Sequence, residues 1–270
     1  LGEDKGKARN NNLLTSSMCA DIQFNSAVFL VGAYNEVHSL QKTVLALVDT
    51  CCPEDVEQII IFIATRATPQ CLAAAKELEE TVTKIPVKAI QQTKGGVGEC
   101  RHLLGTVSFA SHAILLGSDM EIPLDIPSKM LDMCKKHPNA LVSLSRWKDG
   151  GSFTGYPKWQ LPLHYIFQKL VQICYFSKST DATAGYIAVP SEIFSRLRLK
   201  ENSLSVFLEY KLILYRLGLS LVEIPVCYSS RREGKATNTF WGKLKYFKPF
   251  LRVRFTPKPH LLEGSAEDEE

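Results

Sequence analysis

The sequence contains no Cys-x-x-C pair, no Gly-Lys-Ser/Thr phosphate loop and no Gly-x-Gly-x-x-Gly fingerprint. It also has no long apolar run. The eight scattered cysteines therefore lack the common zinc and thiol-redox spacings. They read as small hydrophobes in a reducing, cytoplasmic setting. Without the phosphate loops, P-loop and Rossmann dehydrogenase chemistry is excluded. The most apolar short run, Ile59 to Ala64, is far below the roughly 20 residues a membrane-spanning helix needs. The opening residues, Gly2-Glu3-Asp4 followed by basic residues and three Asn, lack the apolar stretch of a signal peptide. Nor is charge of one sign dominant: 32 basic against 28 acidic residues give +4. Five of the acids fall within Glu263–Glu270 and leave the rest of the chain near +9. What is present is a hydrophobic fraction of 45% over 270 residues, enough for a sizeable core and incompatible with disorder throughout.

That apolar content is patterned. Ala27–Val31, Gln58–Ala64, Val87–Ile90, Ala113–Leu116 and Leu141–Ser145 are continuous apolar runs. They alternate with helical stretches carrying Leu40, Val44, Leu47 and Val48, then Leu72, Ala75, Leu78 and Val82, then Pro127–Lys136. A further helix is expected from Gly98 to about Ala110. Strands buried on both faces, alternating with helices, predict an α/β fold with a doubly wound, mostly parallel sheet. In the second half, Leu163, Ile166, Phe167, Leu170 and Cys174 mark a helical face, and Val206–Leu217 reads as a helix stopped by Gly218. The expected organisation is a flexible arm over 1–26, one domain over 27–255 and an acidic tail over 256–270.

Ligands of such sheets sit beyond the carboxyl ends of the strands. Tyr34-Asn35-Glu36, Thr65-Arg66 and Asp119-Met120-Glu121 fall there. Asp119 and Glu121, read as an extended acid-x-acid pair, place two hard oxygen ligands on one face. That suits a divalent ion bridging to a diphosphate. A solvated turn is the plainer alternative. The glycines at 95, 96 and 98 fit a pocket edge or a simple helix start.

Five segments, in collinear order over residues 27–255, resemble family 2 glycosyltransferases. Val31-Gly32-Ala33-Tyr34-Asn35-Glu36 resembles their opening motif, and Gly117-Ser118-Asp119-Met120-Glu121 their D-x-D region. Asp181–Tyr186, the block from Phe207-Leu208-Glu209 to Val222-Glu223-Ile224-Pro225-Val226, and Arg231-Arg232-Glu233-Gly234-Lys235 are similar to the dolichol-phosphate-mannose-synthase-like branch. The resemblance implies a GT-A nucleotide-diphospho-sugar transferase fold, with Mg2+ or Mn2+ on Asp119 and Glu121. It also implies a donor pocket drawn from Ala33, Tyr34, Glu36, Thr65, Arg66, Gly95, Gly98 and Ser118. Asp181 would act as base or acceptor guide and Arg231 and Arg232 would stabilise the leaving group. Glu209 and Lys235 would serve the acceptor. A turn-capping Asp181 and a structural ion pair at Glu209 are the alternatives. Two departures stand out. Ile63-Ala64 replaces a carboxylate normally found after the second strand, and Gly117 replaces the first Asp of D-x-D.

From Arg231 to Lys258 nine basic residues, with Trp241, Tyr246, Phe247, Phe250 and Phe255, meet one acid, Glu233. Basic residues interleaved with aromatics suit an anionic membrane surface or a lipid phosphate; no nucleic acid is expected. The expected activity is metal-assisted transfer of a sugar from a nucleotide-diphosphate donor to a polyprenyl phosphate, by a cytoplasmic protein peripheral to the membrane. Transfer to a soluble or polysaccharide acceptor, and a non-catalytic nucleotide-sugar-binding domain, are the alternatives.

Overall fold

The computed structural model describes residues 22–154, 158–229 and 245–263. A seven-stranded sheet organises them: β1 Ala27–Ala33, β2 Val56–Ile63, β3 Val87–Gln91, β4 His112–Gly117, β5 Ala140–Ser145, β7 Ile187–Pro190 and β8 Ser220–Pro225. Their spatial order is β3-β2-β1-β4-β7-β5-β8. Every pairing is parallel except those of β7, which runs antiparallel to β4 and to β5. A two-stranded parallel patch joins β6 (Ser152–Phe153) to β9 (Cys227–Tyr228). The helices are α1 His38–Thr50, α2 Pro69–Thr81, α3 Ile126–Lys136, α4 Leu161–Tyr175, α5 Ser191–Ser195, α6 Val206–Leu217 and α7 Phe247–Phe255.

The continuous apolar strands become a sheet because both faces are covered. Phe29 and Val31 point with Ile59 and Ile61 into a core closed by α1, α2 and α3. Val28 and Leu30, one residue out of step, enter a second core built with α4, α5, α6 and α7. Each Ile or Leu so buried is worth about 1.5–3 kcal/mol. Thr68 caps α2 by accepting the Cys71 N–H at 3.3 Å, and Gly218 ends α6 at φ +86°. The helix expected after Gly98 is instead a 3-10 turn over Val97–Leu103. Gly105 at φ +78° and the Leu104–Ser108 bridge stop it from continuing. Gly98 itself packs tightly, since an added Cβ would lie 2.9 Å from Leu199 and 3.0 Å from Val206.

The ends of the chain differ from their expected roles. Of the arm expected over 1–26, residues 22–26 are part of the fold: Phe24 lies against His112, and Ser111 Oγ accepts the Asn25 N–H at 3.0 Å. Of the tail expected over 256–270, Leu261 and Leu262 are buried. Glu263 pairs with the buried Arg101 at 2.6 Å.

Candidate active site

Seven loops meet at the carboxyl edge of the sheet. Six follow β1, β2, β3, β4, β5 and β8. The seventh, Asp181–Tyr186, precedes β7, whose reversed direction puts its amino end on this edge. The loop after β1 is folded around its own acid. Glu36 is buried, and its Oε2 accepts the backbone N–H groups of Tyr34 (2.8 Å) and Asn35 (3.0 Å). Tyr34 is left exposed, and its carbonyl accepts the Thr68 N–H. Glu36 thus shapes the first loop, while Tyr34 presents its ring at the edge. Thr65, Arg66 and Gly95 are also exposed there. Ser118 is buried and donates its hydroxyl to the Gly32 carbonyl at 2.8 Å, tying β4 to β1.

The acidic loop after β4 is not the extended segment the spacing suggests. Met120 sits at φ +55°, a left-handed turn uncommon for a residue with a side chain. The alternation that would align Asp119 with Glu121 is broken. The Glu121 N–H instead approaches Asp119 Oδ1 at 3.4 Å, so the two acids stand on one tight turn. Asp119 is buried and its Oδ1 accepts the Tyr186 hydroxyl at 2.8 Å. Burial, and then the Asp119 charge, push the Tyr186 phenol well above its ordinary pKa, so it stays a donor. Gly117 makes this possible. A Cβ there would sit 3.0 Å from the Tyr186 hydroxyl and 3.3 Å from Asp119 Oδ1, so the missing first acid of the motif is the space that Tyr186 occupies. Ser229 closes the corner, its N–H donating to the Glu121 carbonyl at 2.8 Å.

On the other flank lies a polar network that the sequence did not reveal. Asp181 is wholly buried and grips Arg146: Nε to Oδ2 at 2.6 Å and Nη2 to Oδ1 at 2.8 Å, with the Arg146 N–H also on Oδ2. Burial alone would raise the Asp181 carboxyl, but Arg146, with Lys211 and His164, holds it well below the carboxylate range. A carboxylate so gripped and buried lacks the free oxygen a general base needs, so Asp181 positions Arg146. The guanidinium lies 4.8 Å from the Phe153 ring centre and 5.0 Å from that of Tyr228, within cation–π range of both. From α6, Lys211 donates to Ser143 Oγ (2.7 Å) and to the Asp181 carbonyl (3.1 Å), while Tyr210 donates to the Gly185 carbonyl. Burial lowers Lys211 to about 8, against the pull of Asp181 and Glu223. Glu223 on β8 accepts the N–H and hydroxyl of Thr180 and the hydroxyl of Ser179. Arg146 directly follows β5, so the strand-end rule that found Asp119 would have found it too. Lys211 carries no local signal.

Glu209 is held elsewhere. It is buried at the start of α6, accepts the Lys200 and Glu201 N–H groups and pairs with Arg252 of α7 at 2.5 Å. These partners are those of an ion pair between α6 and α7, on the same turn of α6 as Tyr210 and Lys211, which serve the Asp181 loop. Arg231, Arg232 and Lys235 lie outside the described residues.

A metal fits this corner in a limited way. Among the described residues no group of three or more His, Cys, Asp or Glu side chains forms a metal cage. Mg2+ and Mn2+ sites fed by substrate phosphates, however, need only one or two carboxylates. The carboxylates of Asp119 and Glu121 are of the right chemistry for such a site.

The strand order, the reversed β7 and the loops on the carboxyl edge define a GT-A fold of the nucleotide-diphospho-sugar transferase type. Solved structures of glucosyl-3-phosphoglycerate synthase from Mycobacterium tuberculosis share it. The complex with phosphoglyceric acid superimposes with a TM-score of 0.65 at 12% identity, over 91% of this chain and 84% of that one. The complex with Mn2+, UDP-glucose and phosphoglyceric acid gives 0.64 at 12%, over 91% and 83%. The complex with Mg2+ and UDP gives 0.63 at 13%, over 91% and 84%. No family model and no curated protein matches the sequence.

Proposed function

We propose that this chain is a metal-assisted glycosyltransferase that moves a sugar from a nucleotide-diphosphate donor to a phosphate-bearing acceptor, as the resemblance to family 2 enzymes implies. The observation that carries the reading is the Asp119–Tyr186 pair at the end of β4, seated where Gly117 leaves room for it. In this reading Asp119 and Glu121 hold Mg2+ or Mn2+. Once bound, the ion neutralises charge on the departing diphosphate. Tyr34, Thr65 and Arg66, exposed beside that corner, contact the nucleotide, with Ala33, Gly95 and Gly98 as the backbone around it. Glu36 and Ser118 fix the loops. Asp181 fixes Arg146, and the guanidinium between two aromatic rings presents positive charge to the acceptor. The Arg231-Arg232-Glu233-Gly234-Lys235 motif begins two residues beyond Ser229, which is bonded to Glu121. Its arginines are assigned to the leaving group and Lys235 to the acceptor.

A small phosphorylated acid is the preferred acceptor, because the similar structures hold phosphoglyceric acid beside UDP-glucose and Mn2+. An acid of this kind attacks through its hydroxyl, whose proton must pass to a base other than the gripped Asp181, whereas a polyprenyl phosphate attacks through an oxygen already anionic at neutral pH. A polyprenyl phosphate is the second reading, favoured by the exposed apolar side of α4. The test is calorimetry of UDP and GDP with and without Mn2+, then mass spectrometry of products from UDP-glucose with each acceptor. Metal-dependent nucleotide binding, lost in Asp119→Ala with the fold intact, is expected. No metal-dependent binding of either nucleotide would sink the proposal.

A further inference from the structure

Helix α4 buries only part of its apolar pattern: Phe167 and Cys174 pack against the second core, but Leu163, Ile166 and Leu170 do not. Gln168, Val171 and Tyr175 face inward. Leu163, Ile166, Leu170 and Ile173 face outward, Ile166 with 56% and Ile173 with 70% of its surface exposed. These four follow one helical stripe. Phe176, just past the helix and held at φ +51°, extends the stripe and is 87% exposed.

Helix α7 lies alongside. Phe167 of α4 meets Phe247 and Phe250 of α7, the Tyr175 hydroxyl donates to the Phe250 carbonyl at 2.5 Å, and Arg254 lies 6.0 Å from the Phe176 ring. The outer side of α7 adds a second apolar row, Phe247, Leu251 and Phe255, again exposed. Neither helix carries an acid, and none occurs in 161–180 or 245–258. Lys169, Lys178, Lys245 and Lys248 are exposed around the two rows. Large contiguous apolar surface on a soluble fold marks an interaction site. An apolar stripe rimmed by four lysines, of which, among the described residues, Lys248 alone lies near an acid, Glu201 at 3.9 Å, is complementary to lipid tails beneath anionic headgroups.

We infer that the outer face of α4 and α7 docks on an anionic lipid bilayer, with the two apolar rows inserted and the lysines at headgroup level. The inner side of α4 touches the candidate active site. His164 Nε2 is 2.8 Å from Thr183 Oγ1, and Gln168 accepts the Ala182 N–H at 2.8 Å. A docked bilayer would thus lie one helix diameter, roughly 10–12 Å, from the Asp181–Arg146 network. The inference stands without the proposed chemistry, because binding is read with no sugar or nucleotide present.

The test is cosedimentation of the full chain with phosphatidylcholine vesicles containing about one third phosphatidylserine, and with pure phosphatidylcholine vesicles, at low and high salt. Binding to the anionic vesicles, released by salt, is expected. Ile166→Glu with Ile173→Glu should weaken it by about tenfold or more, from lost insertion and added like charge. Lys169→Glu with Lys178→Glu, both exposed and outside the contacts that fasten α7, should do the same and guards against a misfolded apolar variant. The idea is overturned if the chain does not pellet at low salt, if it binds neutral vesicles equally well, or if both variants bind as tightly as the parent. It is equally overturned if ultracentrifugation shows a dimer abolished by the isoleucine changes while no lipid is bound, since a second copy would then cover the face.

Discussion

At the scale of single residues, Gly117, Asp119 and Tyr186 form one unit. Hydrogen bonds to charged groups are worth about 1.5–3 kcal/mol, so Tyr186→Phe should lower stability by about that amount in urea unfolding. It should also weaken metal-dependent nucleotide binding, because Asp119 loses the bond that orients it. Gly117→Ala should cost about 1–3 kcal/mol through the close approach to the Tyr186 hydroxyl. The two changes should be less than additive in a double-mutant cycle, since the second removes the atom the first collides with; strict additivity would show that the contact is slack. Asp181 gives the clearest pH signature. Its carboxyl is depressed in the fold, so below the ordinary carboxylate pKa of about 3.9 the unfolded chain takes up a proton that the native chain does not. Stability from this group is present above that pH and lost as pH falls further. Asp181→Asn should cost about 3–5 kcal/mol at pH 7 by stranding Arg146, and should flatten the acid limb measured by urea unfolding near pH 3. An unchanged acid limb would show that another carboxylate governs it.

At the scale of elements, α7 is fastened by four contacts from two arginines rather than by length. Arg252 reaches Glu201 at 2.6 Å and Glu209 at 2.5 Å, and Arg216 of α6 donates to the Val253 and Thr256 carbonyls, closing the end of the helix. Arg252→Met should leave Glu209 buried without its guanidinium. It should raise amide hydrogen exchange across Phe247–Phe255 selectively; exchange that rises equally in β1 and β2 would mean that α7 is not a separate unit. The elements also show what a sequence discloses. Strands such as Ile59–Ile63 are legible because buried parallel strands have no polar side to confuse the pattern. Asp119 and Glu121 are legible as a strand-end pair, but the left-handed Met120 between them is not, since it depends on the loop that closes over it. Helix α4 shows the opposite difficulty: a 3.6-residue apolar stripe reads the same whether it faces a core or solvent. Only the partners of Gln168 and Tyr175 decide. Arg146, Lys211 and Tyr228 meet across long sequence separations, so no local spacing announces them.

For the molecule as a whole, ligand linkage is the most direct measurement. A nucleotide diphosphate with Mn2+ at about 100 times its Kd should add roughly 2.7 kcal/mol. For a domain of this size that raises Tm by about 5–10 °C. With Ile63 and Ala64 where similar enzymes carry an acid, UDP and GDP should differ by less than about 3 kcal/mol, the scale of a well-built polar discrimination; a larger gap would reveal a base-reading group after β2. The reversed strand has a further consequence, felt while the chain is being made. Synthesis delivers β1 to β4 in sequence, and these pair directly with one another. β5 comes next but has no place beside β4, because β7, more than forty residues later, occupies the position between them. Until the ribosome has released β7, the open rim of β4, with its apolar residues from Ala113 to Leu116, stands unpaired. Such a rim recruits other strands. Slow codons between β5 and β7 would prolong that window, and nascent chains stalled there are the ones that should depend most on chaperones.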